Sequence, residues 1–495
     1  MKYYSTRDVS LRYDAADAIK MGLSRDGGLL TPCQIPQVGR AFLESLVPAS
    51  YQERAAKIMS LYLTDYTEAE LKSFADNAYG PDKFDTAAVA PVRKVDDRTY
   101  CLELWHGPTS AFKDMALQML PQLLSAALRK TGEDKTVCIR VATSGDTGKA
   151  AMEGFADVPQ TKIMVFYPKD GVSAIQELQM VTQDGANVGV CAVVGNFDDA
   201  QTGVKRIFSD EGIRAKLADR GFFLSSANSI NWGRILPQVV YYISAYCDLL
   251  RDGKIAMGDK VNFCVPTGNF GDILAAYYAE RMGLPVGKLI CASNRNDVLT
   301  DFLRTGVYDR NRPFHTTMSP SMDILISSNL ERLLFDLSGE NDAEIRSYMA
   351  ALSKDGRYEV SEEIKGKLKE LYWGGFCDEE GTAASIAKYY KEYGYLIDTH
   401  TAVAANVMEQ YRVATGDDTV TVFVSTASPY KFGDSVLTAI GETPAENSLD
   451  RIGQMQELTG VPAPKRLAAL KGKARRFDLT CEKAGMDDVV LDFLK

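Results

Sequence analysis

The chain has 495 residues, 45% of them hydrophobic and 25% charged, an ordinary soluble composition with length for two lobes or about three domains. Lys+Arg 56 against Asp+Glu 66 leaves a net charge of -10, which argues against general affinity for nucleic acid, since that needs a basic face. Nine scattered cysteines without a CxxC pair and three histidines (His106, His315, His400) off zinc-ligand spacing speak against a disulfide framework and a metal site. The opening "MKYYSTRDVSLRYD" lacks an apolar signal core, and no apolar run reaches membrane-span length, so a soluble cytoplasmic protein is expected.

In chain order, residues 1–95 read as a helix-rich region with a Pro/Gly-rich segment, "DGGLLTPCQIPQVG". Next comes "HGPTSAFKDMALQML" (106–120), which sets Lys113 between a hydroxyl-rich turn and an apolar helix. Apolar runs at 136–143, 162–168, 187–194, 222–226, 260–266, 288–293 and 420–427 read as buried strands separated by amphipathic segments. Such alternation predicts an α/β fold, its mostly parallel sheets flanked by helices. The stretch 300–400 is more helical and polar and reads as an insertion. The expected division is an N-terminal region (1–95), a first α/β lobe (96–250) and a second α/β lobe (251–495) carrying that insertion.

Ligands of open α/β sheets sit at the carboxyl ends of strands, which draws attention to three strand-to-helix turns. The first is Ser144-Gly145-Asp146-Thr147-Gly148, with hydroxyls and free helix N–H groups suited to a carboxylate or phosphate. Thr143 and Ala150 depart from a Walker A loop. The second is Gly268-Asn269-Phe270-Gly271-Asp272, and no GxGxxG fingerprint accompanies it. The third is Ser425-Thr426-Ala427-Ser428-Pro429. Taken singly, each turn reads first as a simple chain reversal; the three together with Lys113 make the case for a ligand.

Lys113 is open to two readings. It is either a solvated lysine paired with Asp114 or a buried amine of lowered pKa, fit to form a Schiff base. A reactive lysine together with a phosphate-cradling glycine turn is what pyridoxal phosphate requires.

At these residues the chain resembles the threonine synthases, within the two-lobed fold-type II pyridoxal-phosphate enzymes related to tryptophan synthase β. "GLSRDGGLLTP", "HGPTSAFKD", "TSGDTG", "SANSINWGRILPQ", "PTGNFGD" and "STASPYKF" carry the resemblance, in order, over most of the chain. It implies that Lys113 holds the cofactor as an internal aldimine and shuttles protons. Gly268, Asn269, Phe270, Gly271 and Asp272 would form the loop at the cofactor phosphate. Thr426 would face the pyridine nitrogen, and Asp146 would lie beside the ring hydroxyl. Ser144, Thr147, Ser229 and Arg234 would bind the substrate, the last two at its phosphate. For Asn231 and Trp232, packing at a turn is an equal alternative, and His106 is expected to shape the loop before Lys113. Lys149 and Ser428 depart from many relatives.

The implied reaction takes O-phospho-L-homoserine and water to L-threonine and phosphate. The competing readings are a related phospho-lyase that forms a 2-oxo acid, and a non-catalytic scaffold relative. The oligomeric state is not legible in the sequence.

Overall fold

Thr136–Ala142, Thr161–Pro168 and Val188–Val194 are short runs of β-branched and apolar residues, buried along almost their whole length. That pattern belongs to parallel strands covered on both faces. In the computed structural model, which describes residues 1–195 and 197–495 without the side chains of 197, 198, 205, 208 and 209, these runs form the centre of a five-stranded parallel sheet. The spatial order is Thr480–Glu482, Val188–Val194, Thr161–Pro168, Thr136–Ala142, Phe222–Ser225. Ile139 lies opposite Ile163, and Ile163 opposite Val188.

A second sheet has six strands in the order Tyr372–Phe376, Val286–Ser293, Val261–Pro266, Thr421–Ser425, Thr99–Glu103, Val92–Lys94. All its neighbours run parallel except the Val92–Lys94 edge. Helices Asp146–Phe155 and Gly271–Arg281 start just beyond strands of the two sheets. Trp232–Arg251 is buried from Trp232 to Leu249, its polar side chains Arg234, Gln238, Ser244 and Asp248 included. It packs against Gly271–Arg281 and the N-terminal helix Tyr51–Ser60, whose Arg54 meets Asp248 and Ser244 on it.

The two sheets do not divide at residue 250. Thr99–Glu103, expected in the first lobe, lies in the second sheet beside Thr421–Ser425, and Thr480–Glu482 returns to edge the first. Hydrogen bonding between distant segments sets sheet membership, and a linear division cannot show that. The N-terminal region has its expected helices, two of them opened by reciprocal capping boxes at Ser50/Glu53 and Thr67/Glu70. It also holds a three-stranded antiparallel sheet of Tyr3–Ser5, Asp8–Tyr13 and Leu30–Pro32. Two of these strands have only three residues, too short to display a period. The 300–400 stretch includes helices Leu330–Leu337, Asp342–Asp355, Glu362–Leu371 and Glu379–Tyr393, and its strand Tyr372–Phe376 extends the second sheet. No helix among the described residues is long and apolar enough to cross a membrane.

Candidate active site

The loop bearing Lys113 is held by backbone pairing to the turn after Thr421–Ser425. Phe112 N–H donates to the Thr426 carbonyl at 2.8 Å, Ser428 N–H to the Ser110 carbonyl at 3.1 Å, and Ala111 bridges Ala427. Asp114 is not the partner of Lys113. Its carboxylate accepts from the Thr109 N–H at 2.7 Å and the Thr109 hydroxyl at 2.8 Å, and burial pushes it up to about 6. The Lys113 ammonium instead lies 3.9 Å from Asp146 Oδ2, with 11% of its side chain exposed. Burial pushes the amine down to about 8; Lys431 and Arg234 act in the same direction, and Asp146 and Asp272 oppose them.

Asp146 is presented by a turn that Thr143 staples: its hydroxyl oxygen accepts from Gly145 N–H at 3.0 Å and Gly148 N–H at 2.9 Å. Gly145 has φ +124°, and a Cβ there would lie 2.4 Å from Gln176. Gln176 Nε2 and Lys431 both donate to Asp146 Oδ1, and the Ser321 hydroxyl lies 3.5 Å from Oδ2. Burial would raise this carboxyl, but Lys431 and Lys113 outweigh it and hold Asp146 well below the usual carboxylate range. Ser144 and Thr147, on the same turn, are half-buried.

Phe270 adopts the left-handed conformation (φ 63°) and opens helix Gly271–Arg281, whose first-turn N–H groups lack helical acceptors. The glycine loop is closely lined. A Cβ on Gly268 would lie 2.8 Å from the Ser321 carbonyl, and one on Gly271 would lie 3.3 Å from Asn329 Nδ2. Asn269 is exposed, and its carbonyl accepts from Asn329 N–H at 3.1 Å. The Asp272 carboxylate is engaged by the Tyr241 and Tyr242 hydroxyls, the latter at 2.7 Å, and burial pushes it up to about 6. What Asp272 offers an anion is therefore its backbone N–H. Thr426 is buried at the end of its strand.

Two buried donors, Arg234 Nε and, beside this loop, Asn329 Nδ2, have no hydrogen-bond partner among the described residues. Arg234 uses Nη1 on the Ala227 carbonyl at 2.6 Å, and burial lowers its guanidinium to about 10. Arg332 donates to Asn329 Oδ1 at 2.5 Å, which fixes that amide with its NH2 toward Gly271. Ser229 lies alongside, its Cβ 3.5 Å from the place a Gly271 Cβ would take. A cleft of about 1600 Å³ adjoins them, its wall including Ser226, Ile230 and Ser327; Lys113 and Asp146 are not on that wall.

The remaining expectations sort by contact. Asn231 caps the long helix, its Oδ1 accepting from Gly233 N–H at 2.9 Å while Nδ2 donates to the Ile19 and Ser226 carbonyls. Trp232 packs among Tyr3, Tyr62 and Tyr278. His106 lies between Asp85 at 2.6 Å and Glu103 at 2.8 Å, bracing the loop as expected. Lys149 pairs with Glu153 at 3.0 Å. Sequence reasoning passed over Gln176, Ser321, Asn329 and Lys431. It also passed over His400, whose Nδ1 faces Asp398 at 2.7 Å while Nε2 accepts the Ser321 N–H at 3.1 Å. Lys431 alone stood inside a quoted motif, "STASPYKF". The others lie in stretches without a local signature.

A buried amine, a glycine turn with no room for side chains and a pair of unpartnered donors fit an aldehyde that bears a phosphate. Residues 88–361 match the family described as pyridoxal-phosphate dependent enzyme, so the chain is an enzyme of that class with the type II fold. Residues 2–79 and 401–489 match the families described as threonine synthase N terminus and threonine synthase, C-terminal. The threonine synthase of Pseudomonas aeruginosa is 40% identical over 90% of this chain and 92% of its own. The structure of PLP-bound threonine synthase from Brucella melitensis superimposes with a TM-score of 0.88 at 36% identity, covering 100% of both chains. Human threonine synthase-like 1 is 40% identical over 86% of this chain, which spans 58% of that protein's length. The chain belongs to the threonine synthase family.

Proposed function

We propose that the protein converts O-phospho-L-homoserine and water to L-threonine and phosphate. The observation that carries this reading is the buried Lys113 amine 3.9 Å from Asp146, in a fold whose glycine loop lies against the Asn329 amide, which like Arg234 Nε has no partner among the described residues. Bound pyridoxal phosphate supplies an aldehyde for the Lys113 amine and a ring that spreads negative charge from the substrate's α-carbon. The first-turn amides at Gly271 and Asp272, with Gly268, Asn269 and Phe270, hold its phosphate. Thr426 would meet the ring nitrogen, and Asp146 would face the ring hydroxyl.

Ser144 and Thr147 bind the substrate carboxylate. Ser229 and Arg234 take its phosphate, a task suited to a guanidinium with an unused Nε–H. Lys113 would take the substrate's α-proton and return protons at the neighbouring carbons, which requires the neutral amine that burial favours.

The test is one time course on O-phospho-L-homoserine with pyridoxal phosphate, quantifying phosphate, threonine and 2-oxobutyrate. Equal phosphate and threonine is the expected result. Phosphate accompanied by oxo acid would make the protein a phospho-lyase instead.

A further inference from the structure

Lys431 has no part in the chemistry above, yet its side chain is wholly buried against the site. It reaches from the short turn Pro429–Phe432 to Asp146 Oδ1, and also donates to the Thr109 carbonyl at 3.2 Å. Gln176 occupies the same Oδ1 at 3.0 Å, so that oxygen has two donors. Oδ2 is left to Lys113 and the Ser321 hydroxyl. Thr109 also clamps Asp114, the residue after Lys113, so Lys431 touches both the carboxylate and the loop that carries the amine.

A well-packed apolar residue would serve stability as well as a buried ion pair does. The pairing therefore asks for another reason, and the arrangement supplies one. Asp146 alone, at 3.9 Å in a dry site, would hold a proton on Lys113. A second cation on that carboxylate offsets the pull.

We propose that Lys431 is a positioning residue for Lys113: it fixes Asp146 with Oδ2 toward the amine, and its charge lets that amine shed its proton. The proposal rests on Lys113 being the amine that bonds the cofactor. The other charged groups facing these two lysines are Arg234 and Asp272 at Lys113 and Asp114 at Lys431, all unchanged in the variants below.

The experiment labels the full-length apoprotein with acetic anhydride across pH 6–11 and reads Lys113 acetylation by peptide mass. Lys431→Met should raise the Lys113 midpoint by about one unit, roughly tenfold slower labelling at neutral pH. Lys431→Arg should leave it near wild type, and Asp146→Asn should lower it. An unmoved midpoint in folded Lys431→Met protein, whatever its melting temperature, overturns the proposal. If that variant does not fold, Lys431→Gln, which keeps a donor and drops the charge, decides by the same criterion. Borohydride trapping of the cofactor on Lys113 is read separately, so failure of the underlying assignment is distinguishable from failure of the inference.

Discussion

A lysine that works as a base must lose its proton where water is scarce. With the amine lowered to about 8, roughly a tenth of it is neutral at pH 7, against less than about one part in a thousand for a solvated lysine. Lys113→Ala should therefore abolish turnover and borohydride-stable cofactor attachment together. Turnover at the wild-type rate in that variant would remove Lys113 from the mechanism. His106 shows the opposite shift. Burial disfavours its charged form, but Asp85 and Glu103 outweigh that and raise it from 6.5 to about 9. The folded state thus holds a proton that the unfolded chain releases. Its contribution is full below pH 6.5 and is lost as pH rises through 9. His106→Asn should cost about 1–2 kcal/mol at pH 6 and little at pH 10. Thermal melts at the two pH values check this, and an equal loss at both would mean that charge is not what His106 contributes.

At the scale of elements, the site is three strand ends and the turns that leave them. Thr143 and Asp146 depend on a glycine at φ +124°, and the Gly268–Asp272 loop depends on two glycines against which other segments lie. Gly268→Ala would push its new Cβ to 2.8 Å from the Ser321 carbonyl, which His400 anchors through the Ser321 N–H. Backbone held in this way does not yield cheaply. The variant should bind pyridoxal phosphate at least roughly tenfold more weakly, with overpacking costing about 1–3 kcal/mol of stability. A cofactor titration followed by absorbance measures the first quantity and a denaturant melt the second; unchanged affinity would show that the Ser321 segment moves aside freely.

Over the whole molecule, the N-terminal region is fastened to the lobes by buried charges. Arg54 donates to Asp248 at 2.7 Å and to Ser244, both on the long helix, and Arg7 pairs with Glu331 at 2.8 Å in the inserted stretch. Removing one member of a buried pair leaves the other desolvated. Arg54→Met should cost about 2–4 kcal/mol, less than the full penalty because Arg251 also reaches Asp248 at 2.8 Å. A shift of the denaturant midpoint measures it, and a change below about 0.5 kcal/mol would mean that the pair is dispensable.

The sequence by itself determined the strand-and-helix alternation and the three turns, because those signals are local: a period, a glycine, a hydroxyl run. Lys113, Asp146 and the Gly268–Asp272 loop stood out as candidates at those turns, and the family resemblance gave each its expected role. Tertiary structure alone decided that Lys113 answers to Asp146 and not to its neighbour Asp114, and that Thr99–Glu103 joins the second sheet. It also decided that the Asp272 carboxylate faces two tyrosines and that Lys431, 285 positions away from Asp146, shares its carboxylate. Each of these depends on distance between residues remote in the chain. Charge, burial and hydrogen-bond partners act through space, so they set the chemistry only once the fold has brought those residues together.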